Sequence, residues 1–193
     1  MNERLDGMKV AILATDGFEE VELTDPRRAL KNAGAAVTIV APHDGSIQGF
    51  AHHDKAGSAK VDATFANVSA EDFDAVLLPG GALNADALRA VPEAKQFVQR
   101  IFGSGKPIAV ICHGPWLLAS AGLLEGRTIT SYHTIQDDMR NAGARWEDRE
   151  VVRDGNIVSS RKPDDLPAFD RSMIELFGDH LGGRSSIPAH SAR

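Results

Sequence analysis

The stretch that decides the fold is Pro107-Ile108-Ala109-Val110-Ile111-Cys112-His113-Gly114-Pro115. An apolar run with β-branched members ends abruptly at Cys112, which is the only cysteine in the chain. The apolar segment that follows, Trp116 to Leu124, is too long for a strand. This order predicts a strand, a sharp turn and a helix, with the cysteine at the turn.

A thiol at such a nucleophile elbow points out of the sheet. The unpaired N–H groups and the positive dipole end of the following helix then face the sulfur, and both favour the reactive thiolate. A lone cysteine after a strand is more often a buried core residue. Here the adjoining His113-Gly114-Pro115 and the acidic pair Glu19-Glu20 favour chemistry instead. We therefore interpret Cys112 as a nucleophile.

Composition limits the class of protein. At 193 residues the chain is expected to form one domain, and its net charge of -6 without a basic cluster gives no signal for nucleic acid. No apolar run approaches the roughly 20 residues that a membrane-spanning helix needs, and the first residues lack the apolar core of a signal peptide. A single cysteine cannot form an internal disulfide, which suits a reducing compartment. These features predict a cytoplasmic protein that does not bind membranes.

Short apolar strands alternate with helices along the chain, which predicts a mainly parallel sheet covered on both faces. The expected fold is an α/β, three-layer α/β/α sandwich of the flavodoxin-like kind. Apart from the strand before Cys112, buried strands are predicted at Lys9–Ala14, Ala36–Ala41 and Asp74–Leu78, and the principal helices before it at Glu19–Asn32 and Glu93–Phe102. Ligands of such sheets bind beyond the carboxyl ends of the strands, so we expect the site where loops Thr15–Glu20, Pro79–Asp86 and Cys112–Pro115 converge.

The remaining segments complete a single domain. Short extra strands are predicted at Ile47–Gly49 and Ala59–Val61, and a hairpin pairs Glu150–Val152 with Ile157–Ser159. A final helix is expected to begin at Pro163. We predict a leader over residues 1–8, one domain over residues 9–178 and a loose tail over residues 179–193.

Several polar residues fall in the predicted loops. Glu19 and Glu20 either complement the dipole of the first helix or act on the thiol, as hydrogen-bond donors when protonated and as bases when ionised. Gly80-Gly81 forms either a plain turn or a place where an N–H approaches an oxyanion. Adjacent residues on an elbow do not normally face each other, so we do not expect the His113 ring to take the thiol proton unaided.

Other candidates are weaker or absent. Tyr132 follows a strand end and either lines the pocket or faces solvent. His43, His52 and His53 lack ligand-spaced partners, so no metal is expected. The chain has no nucleotide-binding glycine motif, and we expect no cofactor.

Ordered motifs along most of the chain are shared with a known family. They are Phe18-Glu19-Glu20-Val21-Glu22-Leu23, Leu78-Pro79-Gly80-Gly81, Ile111-Cys112-His113-Gly114-Pro115, Thr130-Ser131-Tyr132 and Ser159-Ser160-Arg161-Lys162-Pro163-Asp164-Asp165. From about Lys9 to Gly178 the sequence resembles the ThiJ/PfpI family of the intracellular protease I type, within the class I glutamine-amidotransferase-like superfamily.

The resemblance implies a role for each matching residue. It places the family nucleophile at Cys112, the glutamate that hydrogen-bonds it at Glu19, and the oxyanion-hole N–H groups at Gly81 and His113. An acidic residue from a neighbouring subunit, which completes a Cys-His-acid set, falls nearest to Asp86, and a substrate-facing position falls on Tyr132. A site completed across an interface implies a homodimer or a higher homo-oligomer.

Three functions are compatible with an activated thiolate. The leading hypothesis is a stress-response deglycase or glyoxalase acting on a small dicarbonyl or on a glycated protein, without a cofactor. The second is an intracellular cysteine peptidase, which needs the His113–Asp86 pair to protonate the leaving amine. The third is a redox sensor or chaperone that uses oxidation of Cys112 and is not an enzyme.

Overall fold

A computed structural model of the protein describes residues 5–185. In chain order the strands are β1 Lys9–Leu13, β2 Phe18–Glu19, β3 Ala36–Ala41, β4 Ser46–Ala51, β5 Asp54–Lys60, β6 Ala63–Thr64, β7 Ala75–Leu78, β8 Ile108–Ile111, β9 Thr128–Ile129, β10 Arg145–Trp146, β11 Val151–Asp154 and β12 Ile157–Ser160. The α-helices are α1 Glu20–Asn32, α2 Ala82–Ala90, α3 Pro92–Gly103, α4 Pro115–Ser120, α5 Gln136–Asn141 and α6 Leu166–Ser185.

A seven-stranded sheet with the order β11-β12-β8-β7-β1-β3-β6 forms the centre of the fold. Its strands pair in parallel except β11 and β12, which form the predicted antiparallel hairpin. The predicted α/β fold around a mainly parallel sheet is confirmed.

Two apolar cores lie on the opposite faces of this sheet, because successive strand residues point to opposite sides. Val10 and Ile12 belong to one core and Ala11 and Leu13 to the other. Helices α1 and α6 contribute to the first core, whereas α2, α3, α4 and α5 contribute to the second. The molecule is therefore the expected three-layer sandwich.

The register of the sheet brings the predicted loops to one edge. Leu13 pairs with Val40, Leu78 with Val110, and Ile111 with Ser160, so these strands end side by side. The segments that begin at Ala14, Pro79 and Cys112 consequently leave the sheet as neighbours, as the sequence predicted.

A second, three-stranded sheet lies beside this edge and has the order β2-β4-β5. Its long hairpin contains the predicted strand Ile47–Gly49 within β4, and Ala59 and Lys60 of the second predicted strand within β5, which ends one residue before Val61. Phe18 and Glu19, which we expected in the loop and at the start of the first helix, pair instead with Gly49 and Phe50 in β2. The first helix therefore begins at Glu20, one residue later than predicted.

The helices around the site also differ from the prediction. Residues from Ala82 onward, which we assigned to a loop, form α2. The helix after the elbow ends at Ser120, where we had expected an apolar helix to Leu124. Gly122 has a positive φ of 72°, a conformation that stops a helix.

Both ends of the predicted domain need correction. Leu5 and Met8, which we placed in a leader, are fully buried in the core of the sheet. We expected residues 179–193 to form a loose tail, but helix α6 continues to Ser185. The rest of the predicted tail, residues 186–193, lies outside the described residues. Among residues 5–185, no helix has the length and apolar character needed to cross a membrane.

Candidate active site

Cys112 lies in a strained turn directly after β8. Its φ of 62° is in the left-handed region, which non-glycine residues rarely adopt. The turn is tight: a Cβ on Gly114 would lie 2.8 Å from the Leu78 carbonyl oxygen and 3.0 Å from that of Ile111. These features form the nucleophile elbow that the sequence predicted, and they direct the thiol into a pocket.

The main-chain N–H groups of Gly81 and His113 lie beside the sulfur of Cys112, where their donor character lowers the pKa of the thiol. Gly81 has a φ of 90°, and a Cβ there would lie 2.6 Å from the Glu19 nitrogen. Only glycine lets this N–H approach so closely. The two groups that the resemblance assigned to an oxyanion hole are thus brought together at the sulfur.

The imidazole of His113 contacts the thiol directly, since its Nδ1 lies 3.2 Å from the Cys112 sulfur. Our expectation that neighbouring residues on the elbow would not face each other was wrong, since the two side chains are in contact in a turn where Cys112 has a positive φ. The ring stacks on Tyr132 at 4.9 Å. Burial, aided by the charge of His133, lowers the pKa of His113, which favours a neutral ring able to accept a proton.

Glu22, and not Glu19, supplies the carboxyl group that reaches Cys112. The Glu22 side chain is fully buried and interacts with the thiol, and its Oε2 accepts a hydrogen bond of 3.0 Å from the Gly80 N–H. The sequence assignment of this role to Glu19 was wrong because Glu19 belongs to β2. The inward-facing acid lies almost one helical turn later, on α1.

Burial raises the pKa of Glu22 to about 8, and the negative charge of Glu19 adds to the shift. At neutral pH Glu22 is therefore mainly a carboxylic acid. Burial, together with the charge of an ionised Glu22, raises the pKa of the Cys112 thiol, while the two N–H donors lower it. Once the pair has lost one proton and the remaining proton resides on Glu22, the sulfur has three donors, so a thiolate beside a neutral acid is the reactive state of the pair.

Glu19 and Glu20 hold the β4–β5 hairpin against α1. The carboxylate of Glu19 accepts hydrogen bonds from the His52 N–H at 3.1 and 3.4 Å, and that of Glu20 accepts one from the Gly57 N–H at 2.9 Å. Glu19 also lines the pocket, whereas Glu20 does not. The predicted acidic pair therefore positions a wall of the site.

Asn84 is a site residue that the sequence analysis missed. Its fully buried side chain accepts a hydrogen bond of 2.7 Å from the Thr15 N–H. It donates bonds of 3.2 and 3.0 Å to the carbonyl oxygens of Pro79 and Gly80. One side chain thus connects two of the loops at the sheet edge. The feature of the sequence that points to Asn84 is a polar residue within a helix of mainly small residues.

The pocket around the thiol has a volume of about 960 Å³. It is lined by Gly17, Glu19, Glu22, Phe50, His52, His53, Gly81, Ala82, Leu83, Cys112, His113, Tyr132, Lys162, Pro163 and Asp164.

Tyr132 was predicted either to line the pocket or to face solvent, and in the structure it lines the pocket. Asp86 does not line the pocket and is exposed on α2. Within residues 5–185, no cluster of His, Cys, Asp and Glu could hold a metal ion.

The sequence matches a known protein family over most of its length. Residues 8–176 match the DJ-1/PfpI family. Deglycase PfpI of Pyrococcus furiosus is 48% identical over 170 residues, which are 88% of this chain and 99% of that protein. YraA of Bacillus subtilis, whose name assigns it provisionally to the cysteine proteases, is 42% identical over 168 residues, 87% of this chain and 97% of that protein.

A solved structure shows the same fold. It is a two-domain protein of Anabaena variabilis with DJ-1/ThiJ/PfpI-like and ferritin-like domains, and it matches with a TM-score of 0.82 at 35% identity. The match covers 96% of this chain and 51% of the other, so the chain spans about half of that protein's length. Since the family match includes the elbow, the buried acid of α1 and the glycine turn after β7, the chain belongs to the DJ-1/PfpI family.

Proposed function

We propose that the protein is a cofactor-independent deglycase that acts on early adducts of reactive dicarbonyls, and on the free dicarbonyls themselves. The observation that carries this proposal is the contact of Cys112 with a buried carboxylic acid, Glu22, and a neutral imidazole, His113. Deglycase PfpI, at 48% identity, bears the name of the same activity.

The proposed reaction depends on the two proton-carrying groups that contact the Cys112 sulfur, Glu22 and His113. The thiolate of Cys112 adds to the aldehyde carbon, and the N–H groups of Gly81 and His113 stabilise the resulting oxyanion, which takes a proton to give a hemithioacetal. Transfer of a proton between the two oxygen-bearing carbons converts it to a thioester, and His113 or Glu22 carries that proton. Water then releases a hydroxy acid and restores the thiol.

For an adduct on an amine, the thiolate of Cys112 attacks the carbon that carries the nitrogen. A C–S bond forms as the C–N bond breaks, the amine leaves with one added proton, and the product is the same hemithioacetal. Overall, one water enters, and one hydroxy acid and one free amine leave, so no oxidant or reductant is required. Glu22 is a suitable source of the proton because its pKa of about 8 keeps it protonated at neutral pH.

The test is formation of lactate from methylglyoxal and from a methylglyoxal-treated peptide, with the released peptide amine measured in parallel. Wild-type protein should give catalytic lactate, and Cys112→Ser should give none. Because adducts release methylglyoxal slowly, the rate on the peptide is measured at several concentrations of an added aldehyde trap. Lactate from Cys112→Ser at the wild-type rate would disprove a thiolate mechanism.

A cysteine peptidase is the second candidate, and the name of YraA supports it. A peptidase needs an acid that protonates the leaving amine, and we had assigned this role to a His113–Asp86 pair. In the described chain Asp86 is exposed on α2 and is not among the residues that line the pocket, whereas the His113 ring contacts Cys112, Trp116 and Tyr132. Peptidase activity would therefore depend on a second subunit, and we expect a peptide amide to be cleaved far more slowly than an adduct.

We further propose that the protein acts in the cytoplasm as a homodimer or a higher homo-oligomer. Leu83, which lines the pocket, is 64% exposed and Val21 on α1 is 38% exposed, and a second copy of the chain would bury such apolar side chains. Light scattering after size-exclusion chromatography tests the assembly. A monomer at micromolar concentration would exclude it, and Leu83→Asp should weaken it.

The non-enzymatic alternative uses oxidation of Cys112. An acid beside a thiolate favours formation of a sulfinic acid, and the chain has no second cysteine to resolve a sulfenic acid. Mass spectrometry after mild peroxide should then show stepwise addition of oxygen at Cys112. This oxidation would inactivate the enzyme, so loss of lactate formation should parallel the modification.

A further inference from the structure

We propose that Glu19 is a specificity residue that binds the cationic carrier of the substrate, above all the guanidinium group of an arginine that bears a dicarbonyl adduct. This inference rests on the proposed function and goes beyond it, because it distinguishes adducts on arginine from adducts on uncharged carriers.

The charged groups around the pocket leave one negative charge uncompensated. Glu22 is neutral at neutral pH because burial raises its pKa to about 8. The ammonium group of Lys162 is paired with the carboxylate of Asp164 at 2.8 Å. Among the described residues that line the pocket, Glu19 is therefore the carboxylate left without a cationic partner.

The position of Glu19 is fixed by the protein itself. The His52 N–H donates to both of its oxygens, so the carboxylate is held in one orientation at the wall formed by the β4–β5 hairpin. A carboxylate has about four acceptor sites, and those remaining can receive bonds from a ligand. Its charge also contributes to the raised pKa of Glu22, which shows that it lies within electrostatic reach of the reacting groups.

The pocket is much larger than a free dicarbonyl requires. A volume of about 960 Å³ is at the upper end of the range for sites that enclose drug-sized ligands, whereas methylglyoxal has only three carbons. Phe50, Leu83 and Pro163 provide apolar lining that suits the aliphatic stem of a long side chain. The shape therefore fits an adduct together with the residue that carries it.

Arginine is the carrier that matches these features best. Its guanidinium group keeps a positive charge after one nitrogen has added to an aldehyde, and its planar donors pair with a carboxylate through two parallel bonds. A cysteine adduct is a neutral hemithioacetal and offers Glu19 no charge. Binding of the carrier by Glu19 would also favour a positively charged leaving group as the C–N bond breaks.

The experiment compares two adducts in three proteins. The substrates are methylglyoxal adducts of Nα-acetylarginine amide and of N-acetylcysteine amide, and lactate is measured for wild type, Glu19→Gln and Glu20→Gln. Glu20 is a matched control because it makes the same kind of bond to the hairpin but does not line the pocket. Free methylglyoxal serves as the carrier-free substrate.

Glu19→Gln should lower kcat/KM for the arginine adduct by about tenfold more than for the cysteine adduct or for methylglyoxal, mainly through KM. A loss shared by all three substrates reports the effect of the Glu19 charge on Glu22 and of its bond to the hairpin, and it cancels in the ratio. Glu20→Gln should preserve the ratio between the substrates. Equal losses on all three substrates would show that Glu19 only holds the hairpin, and no loss on the arginine adduct would also overturn the proposal.

A binding readout separates this inference from the proposed function. In Cys112→Ser, Nα-acetylarginine amide should bind more weakly by a similar factor when Glu19→Gln is added. If wild type forms lactate but neither kinetics nor binding depends on Glu19, the deglycase proposal stands and the specificity proposal fails. If wild type forms no lactate from any substrate, both proposals fail.

Discussion

Glu22 and Cys112 meet over the α-carbon of Gly80, although one side chain comes from helix α1 and the other from the turn after β8. A Cβ on Gly80 would lie 2.6 Å from the Cβ of Cys112 and 3.1 Å from its sulfur, and would overlap the Oε2 atom of Glu22. The glycine thus makes room for the contact between acid and thiol.

Gly80→Ala should separate these two groups. The added methyl group has no space beside Glu22, so we expect turnover to fall by at least about tenfold. The rate at which iodoacetamide alkylates Cys112 should change with it. Gly103→Ala is the control, since a Cβ at Gly103 meets nothing within 4 Å. Wild-type activity in Gly80→Ala would show that the contact is not needed.

Glu22→Gln should lower kcat by about 10²- to 10³-fold, because an amide cannot carry the proton that a carboxylic acid transfers. The pH profile gives a second test. The raised pKa of Glu22, about 8, marks the loss of the first proton from the Glu22–Cys112 pair, and the pair that keeps one proton includes the reactive thiolate beside the acid. Wild-type activity should therefore rise as pH increases toward about 8. A rising limb that persists unchanged in Glu22→Gln would assign it to another group.

Asp170→Asn should stabilise the fold at alkaline pH. Burial, together with the charge of Asp25, raises the pKa of Asp170 on α6 to about 7, and its Oδ1 has no hydrogen-bond partner in residues 5–185. The folded state therefore holds a proton that the unfolded state loses near pH 4, and wild-type stability decreases as pH rises from about 4 through 7.

Denaturant unfolding at pH 5 and pH 8 measures this effect. We expect Asp170→Asn to reduce the pH-dependent loss by on the order of 1–2 kcal/mol, a value discounted because the side chain is only partly buried. Asp179→Asn is the control on the same helix, where the acid is exposed and pairs with Arg153. Parallel pH profiles for Asp170→Asn and wild type would contradict the assignment.

Asn84→Ala should destabilise the fold by about 2–3 kcal/mol. The substitution leaves the Thr15 N–H without its acceptor in a buried position, and the carbonyl oxygens of Pro79 and Gly80 lose a donor. Because Gly80 carries the active-site contact, activity should fall as well. Asp86→Asn, on the exposed side of the same helix, should change the midpoint of urea unfolding little. Equal midpoints for both variants would refute this role of Asn84.

The sequence was sufficient for the features that depend on local pattern. Apolar runs of strand length predicted the central sheet, and the sequence around Cys112 predicted the elbow. Parallel strands that pair in one sheet end at the same edge of that sheet. This arrangement brings Gly81, which follows β7, close to His113, which follows β8. These predictions succeeded because strand burial and turn chemistry are encoded within a few neighbouring residues.

The predictions that failed depended on contacts between distant segments. The pattern of α1 does not show that Phe18 and Glu19 are drawn into β2 by pairing with β4, and this pairing decides which glutamate points inward. Nor does it show that burial will raise the pKa of Glu22. The role of Asn84 was not predicted for the same reason, since its hydrogen-bond partners lie in two loops outside its own helix. Long-range packing, and not local propensity, places these side chains.

Two of the donors that surround the sulfur belong to the main chain, at Gly81 and His113. Substitution of side chains leaves such donors in place as long as the turns keep their shape. The walls of the pocket can therefore diverge under selection for a new substrate while the nucleophile stays activated. This separation gives the scaffold evolvability: one reactive centre can be inherited unchanged by descendants whose substrates have little in common.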